Sequence, residues 1–515
     1  MTHSNHKPSP HVIVIGAGIG GLTAAALLRH AGFEVTVLEA HVYAGGSAGT
    51  FYHKGYRFDA GATLAGGFAP GGPHARLADI LQLRWPVQPV DPAWVVHLPD
   101  GRTVTQWADP AGWAEERRQH FPHSEPFWRT QAMLAGAAWD ISSRPFPWPP
   151  ESAHDWLTLA QALRPGTLRT LPYLTRTIAD LAPAGDPAFK TFLDAQLLIA
   201  AQTTADHTSA LYGSAALDLP RRGVNHVLGG IGAIAQTLVD WLRANGAQVL
   251  FRQQVERIEL RHGRAVAVHT NKQHTVSGDW LLANVTPWAL QRLLGEHAPA
   301  GLTREVQQRP ATWGAFTLYL GLDGRRLPAA IPDHHQVIVD PTRPLGEGNS
   351  VFISLSRDPQ RSPAGMVNAT LSTHTAIAPW WALRDGPDEA AYLAHRAAYT
   401  ERLLRAAEQA IPGLRGAMQL CLPGTPVTFD YYTRRPGGMV GGFAQTSIFQ
   451  ARGPATGIPN LKLVGDSIFP GQSTAGVTLG GMRVAAAIIR QARRRPLPVT
   501  GRPTPQPAAN ANLSR

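Results

Sequence analysis

Cysteine is nearly missing: Cys421 stands alone in 515 residues. One thiol can neither close a disulfide within the chain nor build a cysteine-based zinc site, and no metal site is expected. Long apolar runs are missing as well. None reaches the roughly 18 residues needed to span a bilayer. The polar opening, 1–10, is not followed by the apolar stretch of a secretory signal. A cytoplasmic chain is therefore expected, soluble or peripheral (monotopic) at the inner face of the cell membrane. Charge is sparse at 16%, and acids are the scarcer sign: 36 Asp and Glu against 47 Lys and Arg, for a net +11. That excess suits an anionic surface. No nucleic-acid-binding motif accompanies it, so nucleic acid is not expected as a partner. With 44% apolar residues, the composition is that of a globular protein.

The length implies roughly two to four domains of ordinary size. The chain opens on a βαβ pattern. His11-Val12-Ile13-Val14-Ile15 is a short apolar strand, 22–30 is an Ala- and Leu-rich helix, Gly32 supplies a left-handed stop, and 33–38 is the second strand. Further on, 227–245 reads as a helix closed by Gly246, with short strands after it at 248–251, 255–260, 265–270 and 280–283. A third block, 461–491, reads as strand, glycine-rich loop and helix. The stretch 85–220 is rich in Trp, Pro and Leu and reads as largely helical, whereas 312–320 and 348–356 alternate as strands. The expected fold class is α/β. A discontinuous Rossmann-type cofactor domain (11–84, 222–290 and 421–495) is interrupted by an α+β substrate domain (85–221, helical, and 291–420, sheet). The Pro-, Ala- and Asn-rich tail, 496–515, is expected to be disordered.

Gly16-x-Gly18-x-x-Gly21 lies between the first strand and the first helix. Gly16 permits the tight turn, Gly18 lets the backbone approach a pyrophosphate, and Gly21 lets helix and strand pack closely. The helix N-terminus offers unpaired N–H groups and a positive dipole end to the phosphates. Glu39 ends the second strand, where a carboxylate accepts the adenosine ribose hydroxyls and repels a 2′-phosphate. NADP is thereby disfavoured. Two glycine-rich runs follow, Gly45-Gly46-Ser47-Ala48-Gly49 and Gly55-Tyr56-Arg57-Phe58-Asp59-Ala60-Gly61, and neither belongs to a simple NAD domain. Near the C-terminus comes Leu461-Lys462-Leu463-Val464-Gly465-Asp466-Ser467. An acid after a strand here can hold the ribityl or pyrophosphate-side hydroxyls of a flavin cofactor. The helix starting at Gly476 would turn its N–H groups toward a flavin pyrimidine, stabilising negative charge on the reduced ring. FAD is the cofactor expected.

These segments, with Gly229-Gly230 before a helix, resemble the phytoene desaturase family of flavoproteins over nearly the whole chain except the tail. The loop Gly465-Asp466-Ser467-Ile468-Phe469-Pro470-Gly471-Gln472, together with Gly424-Thr425-Pro426, Tyr431-Tyr432-Thr433-Arg434 and Gly437-Gly438, is most similar to the carotenoid isomerase and carotenoid 3,4-desaturase branch. It departs from the loop usual in bacterial phytoene desaturases, which moves the expected substrate from phytoene to a later carotenoid. The resemblance implies the two-domain amine oxidase/phytoene desaturase-like fold. It also implies an FAD site formed by Gly16, Gly18, Ile19, Gly20, Gly21, Glu39, Ala40, Gly45, Gly46, Ser47, Gly61, Ala62, Val255, Gly465, Asp466, Gly476 and Val477. Against the flavin would lie a long apolar carotenoid.

The activity this implies is desaturation at C-3,4 of an acyclic, 1-hydroxylated carotenoid. Hydride leaves an allylic carbon, a proton leaves its neighbour, and oxygen or a quinone finally takes the electrons. Carotenoid cis–trans isomerisation, phytoene- or lycopene-type desaturation, ketolation and amine oxidation are the alternatives among enzymes. A prenyl-binding module like the GDP-dissociation inhibitors is the alternative that is not an enzyme. No catalytic residue is assigned; Asp140 and Arg144 are candidates, with a surface ion pair as the plainer account. Trp107, Trp113, Trp128, Trp139, Trp148 and Trp156 are candidates for a polyene tunnel or for ordinary core. Finally, 162–181 places Leu168, Leu171, Leu174, Ile178 and Leu181 at helical spacing among Arg164, Arg169 and Arg176. It is a candidate interfacial helix for peripheral membrane contact or a core-facing one, and Pro172 interrupts it.

Overall fold

The computed structural model describes residues 9–494 apart from Pro145, Pro147, 151–152 and 310–312; the expected disordered tail lies outside the described residues. The first layer is a five-stranded, fully parallel sheet. Its spatial order is Gln248–Leu250, Glu34–Leu38, His11–Ile15, Trp280–Ala283 and Leu461–Leu463. Its central strands are apolar without alternation because both faces are covered, as parallel sheets require. Helix Ile19–His30 packs against helices Gly232–Ala244 and Thr474–Arg494. The strand order reverses between His11–Ile15 and Trp280–Ala283, and a doubly wound sheet opens its ligand crevice at that switch point, beyond the strand C-termini.

The second layer is a seven-stranded sheet in the order Met418–Gly424, Gly314–Asp323, Met366–Thr375, Ser350–Ser356, His334–Ile338, Trp94–His97 and Thr103–Gln106. Its strands show period-two chemistry. Phe316, Leu318, Leu320 and Leu322 join a core with Trp380, Leu403 and Ala407 from the helices on one face, while Ala315, Thr317 and Tyr319 turn to a cavity on the other. A helical cluster around Trp113, Phe121, Phe127, Trp128, Phe189 and Phe192 closes the far side.

Three sequence expectations are corrected. The stretch 85–221 does not begin as helix: Val87–Val90, Trp94–His97 and Thr103–Gln106 are strands. Each has four residues, too few to show alternation, and Trp94–His97 is specified by a partner far along the chain, with His335 opposite Val95. The helix expected from 227 starts at Gly232, because Gly229 (φ +77°) and Gly230 (φ +106°) break the chain after a strand, Val224–Val227. Finally, 162–181 is not one helix. A single turn, Pro165–Leu168, is followed by 3-10 turns at Leu171–Tyr173 and Ala179–Leu181, with Pro172 inside the first of these.

The two layers are joined by buried carboxylates. Asp59 accepts the N–H of Ile231 (2.8 Å) at the start of helix Gly232–Ala244 and pairs with Arg361 at 2.8 Å. Asp358, just past the strand Ser350–Ser356, accepts the Gly229 N–H at 2.6 Å. No helix among the described residues is long and apolar enough to cross a membrane.

Candidate active site

A cavity of about 1560 Å³ begins at the C-terminal ends of the parallel strands (Ile15, Leu38 and Val464) and continues along the open face of the seven-stranded sheet. That exceeds the roughly 300–1,000 Å³ of an ordinary ligand pocket and leaves space for a second ligand beside a cofactor.

At the nucleotide end the backbone supplies the chemistry. Gly16 adopts φ +92°, and a Cβ there would come 2.9 Å from the Asn284 carbonyl oxygen. A Cβ on Gly18 would meet the Asn284 amide nitrogen at 2.4 Å. The helix that follows has no side-chain cap and no acid in its first turn, so its leading N–H groups and dipole are available to an anion. Glu39 lines the same end and accepts N–H bonds from Ala17 (2.7 Å) and His41 (2.8 Å). Burial raises its pKa, partly opposed by those bonds. Opposite stands Asp466, paired with Arg435 at 3.0 Å. Ser473, at φ +76°, accepts the Gly476 N–H on its hydroxyl at the start of helix Thr474–Arg494. The buried Gln202 amide oxygen has no donor among the described residues and Gln202 lines the cavity, so a ligand with an N–H or O–H would satisfy it. An uncapped helix end, a half-buried ribose-type acceptor and an orphaned amide together fit FAD.

Of the residues expected to bind the cofactor, all but Gly21 and Gly476 line this cavity. Gly21 acts one layer back, where a Cβ would meet Asn284 Cβ at 2.7 Å; it serves the helix–strand packing expected of it. Gly476 lets the C-terminal helix approach its own loop, where a Cβ would lie 2.6 Å from the Gly471 carbonyl. Asp140 and Arg144 are not among the lining residues. They pair with each other, with Arg164 also near Asp140, so the candidate catalytic role has no support in this geometry. Among the six tryptophans proposed for a tunnel, Trp128 lines the cavity; Trp113 is core and Trp156 is 60% exposed. Sequence reasoning missed Asn284, Arg435, Gln202, His374 and Trp94. Asn284 had a signal, since it directly follows the strand Trp280–Ala283 at the switch point. The others gain a role only through tertiary contact.

The sequence profile described as flavin containing amine oxidoreductase matches residues 19–489. The chain belongs to that family. Its cofactor is FAD, and it is an FAD-dependent oxidoreductase, so the alternative of a prenyl-binding module falls. It is 28% identical over 512 residues to a chloroplastic prolycopene isomerase of Arabidopsis thaliana, covering 95% of this chain and 84% of that one. It is 24% identical over 524 residues to a lycopene-forming phytoene desaturase of a Paracoccus species, covering 94% and 98%. The fold is shared with an oxidoreductase from Methanosarcina mazei at TM-score 0.62 and 19% identity, covering 92% of this chain and 99% of that chain.

FAD supplies hydride acceptance when bound. The chain's residues position the cofactor and shape the second ligand's space. In the substrate arm His374 lies 3.4 Å from the Gln202 amide nitrogen, and burial lowers its pKa to about 4. It is neutral near pH 7, so it sets no cation against positive charge developing on a nearby substrate.

Proposed function

We propose that this enzyme is a carotenoid desaturase that introduces a C-3,4 double bond into an acyclic, 1-hydroxylated carotenoid. One observation carries the reading most: the length of the cavity. Its lining comes from both edge strands of the seven-stranded sheet, with Leu422 and Gly424 at one edge and Gln106 at the other. Strands lie about 4.8 Å apart, so six intervals amount to roughly 29 Å, the shape wanted by an extended polyene. The names of the relatives, prolycopene isomerase and phytoene desaturase, support the same class.

When bound, FAD would supply hydride acceptance at an allylic C–H; the neighbouring carbon would release its proton to solvent, leaving a new C=C, and the electrons would pass on to oxygen or a quinone. The cavity holds the chosen C–H in line.

Substrate dissolved in lipid requires access from a membrane surface. The segment 156–171 exposes Trp156, Leu157, Leu163, Leu168 and Leu171 beside Arg164 and Arg169, a combination suited to an anionic bilayer without a continuous helix. Flotation with anionic liposomes tests this; purified protein that stays at the bottom of the gradient would remove it.

Expression in cells that accumulate lycopene or its 1-hydroxy derivative tests the activity. Desaturation red-shifts the pigment and removes two hydrogens. A cis–trans isomerase, favoured by the identity to the plant isomerase, changes retention without changing mass. Unchanged pigment in both hosts overturns the carotenoid reading.

A further inference from the structure

The edge of the substrate sheet farthest from Met418–Gly424 contains more amide than a hydrocarbon would want. Gln106 and Gln196 are 2% and 6% exposed, and both line the cavity. Their orientations are fixed by neighbours that can only donate. Arg221 donates from Nη1 to Gln106 Oε1 at 2.9 Å, so the Gln106 NH2 points elsewhere, and it has no acceptor among the described residues. Trp94 donates from Nε1 to Gln196 Oε1 at 3.0 Å, and Gln196 Nε2 donates to Gln336 Oε1 at 2.6 Å. Gln336 Nε2 in turn donates to the Ala195 carbonyl at 3.1 Å and to Ser350 Oγ at 3.3 Å. Ser350 also lines the cavity.

Arg221 therefore turns the Gln106 NH2 toward the cavity, whereas the relay from Trp94 through Gln196 ends at Gln336, whose NH2 has acceptors. Trp94 and Gln106 are opposite each other in the sheet. An amide N–H turned into a cavity is satisfied by a ligand that supplies an acceptor there. We propose that this edge is a subsite for an oxygen atom on the end group of the substrate, a hydroxyl or a carbonyl. Gln106 donates to it, and Arg221 polarises that donor. The inference rests on the carotenoid reading above and names the residue that selects within that class. It gives the enzyme a ruler: an oxygen fixed at the sheet edge sets which C–H lies at the flavin.

The test compares an acyclic carotene with its terminally hydroxylated derivative. FAD-loaded wild type, Gln106→Leu and Gln106→Glu are measured for kcat/KM and, separately, for quenching of flavin fluorescence on binding. Gln106→Glu keeps Arg221 paired and reverses the polarity of the free end, so it guards against a simple folding defect. Wild type is expected to prefer the hydroxylated compound about tenfold, the worth of one such hydrogen bond. In Gln106→Leu the ratio between the two substrates collapses toward one, whereas the carboxylate of Gln106→Glu accepts from the hydroxyl and keeps a preference. Equal loss on both substrates in Gln106→Leu, with the ratio kept, assigns Gln106 a structural role and overturns the subsite. A wild type without preference overturns it too, while desaturation of both compounds leaves the proposed function standing. If neither compound binds or reacts, the carotenoid reading itself falls.

Discussion

Replacing Glu39 by glutamine removes one charge and almost no volume, which makes Glu39→Gln a sharp probe of the nucleotide end. Each carboxylate oxygen of Glu39 is engaged by one backbone N–H, Ala17 on one side and His41 on the other. An amide serves one of them and turns an NH2 toward the second. Stranding a buried donor costs about 1–3 kcal/mol, a loss shared by apoprotein and holoprotein. A second loss appears only with FAD. The adenosine ribose hydroxyl exchanges a charged acceptor for a neutral one, a difference of about 1–2 kcal/mol, which weakens FAD binding about 5- to 30-fold. One effect opposes this: burial disfavours the carboxylate, as its raised pKa indicates, and a neutral amide escapes that penalty. The apoprotein melt therefore falls less than the stranded donor alone implies, while the FAD affinity carries the full ribose effect.

The assay is titration of apoprotein with FAD, followed by quenching of flavin fluorescence, beside thermal melts with and without FAD. A pH series adds a second criterion. Wild-type affinity declines as acid protonates Glu39, starting above the usual glutamate range because its pKa is raised; the Glu39→Gln variant shows no such decline. An FAD affinity within twofold of wild type, or an identical pH profile, would refute the role given to Glu39.

Other perturbations separate the remaining parts of the site. In Gly442→Ala the new Cβ would lie 2.2 Å from the Asp466 carbonyl oxygen; a backbone clash of this kind costs about 1–3 kcal/mol, and purified protein with a full flavin complement would contradict it. In Arg435→Met, Asp466 loses the cation 3.0 Å away. FAD retention during gel filtration should drop and the flavin midpoint potential should become more negative; unchanged values of both would remove Arg435 from the cofactor site. Acid should destabilise the fold early. Burial lowers His74 and His334 to about 3 and His335 and His374 to about 4. Unfolded chains bind these protons near pH 6.5, so stability is present above that pH and is lost toward pH 4, by about 1.4 kcal/mol per unit per histidine. The raised carboxyls Glu39 and Asp59 act with the opposite sign and blunt the loss at its acid end. Urea melts with equal midpoints at pH 7 and pH 5 would contradict this.

The cofactor half was legible because its contacts are made by backbone. Backbone N–H groups reach a phosphate only where side chains are absent, so the requirement is written as glycines at short spacing, and Gly16 and Gly18 sit where a Cβ would collide with Asn284. The βαβ unit could be read for a related reason: strands buried on both faces are uniformly apolar. Val87–Val90, Trp94–His97 and Thr103–Gln106 were not legible. Their pairing depends on strands far away, and four residues leave no room for a period. The break before Gly232 was hidden because Val224–Val227 and the helix are both apolar, and only the positive φ of Gly229 and Gly230 separates them.

Substrate choice is written differently again. Trp94 and Gln196 are 102 residues apart, Gln106 and Arg221 are 115 apart, and Gln196 and Gln336 are 140 apart. In a linear reading each glutamine is an ordinary polar residue on a surface; in the fold Arg221 aims Gln106, and Gln196 and Gln336 link Trp94 to the middle of the sheet. No local pattern records them, so a chain can keep every cofactor glycine and still change what it binds at the sheet edge. That is the physical reason why the family match brings FAD to this chain but does not bring a substrate. It also yields a comparative expectation. A relative that retains the Gly16–Gly18 turn, Glu39 and Asp466 but has leucine in place of Gln106 loses the free amide. Such an enzyme should favour an unoxygenated end group, and a measured preference for the hydroxylated carotenoid in that background would break the connection between Gln106 and specificity.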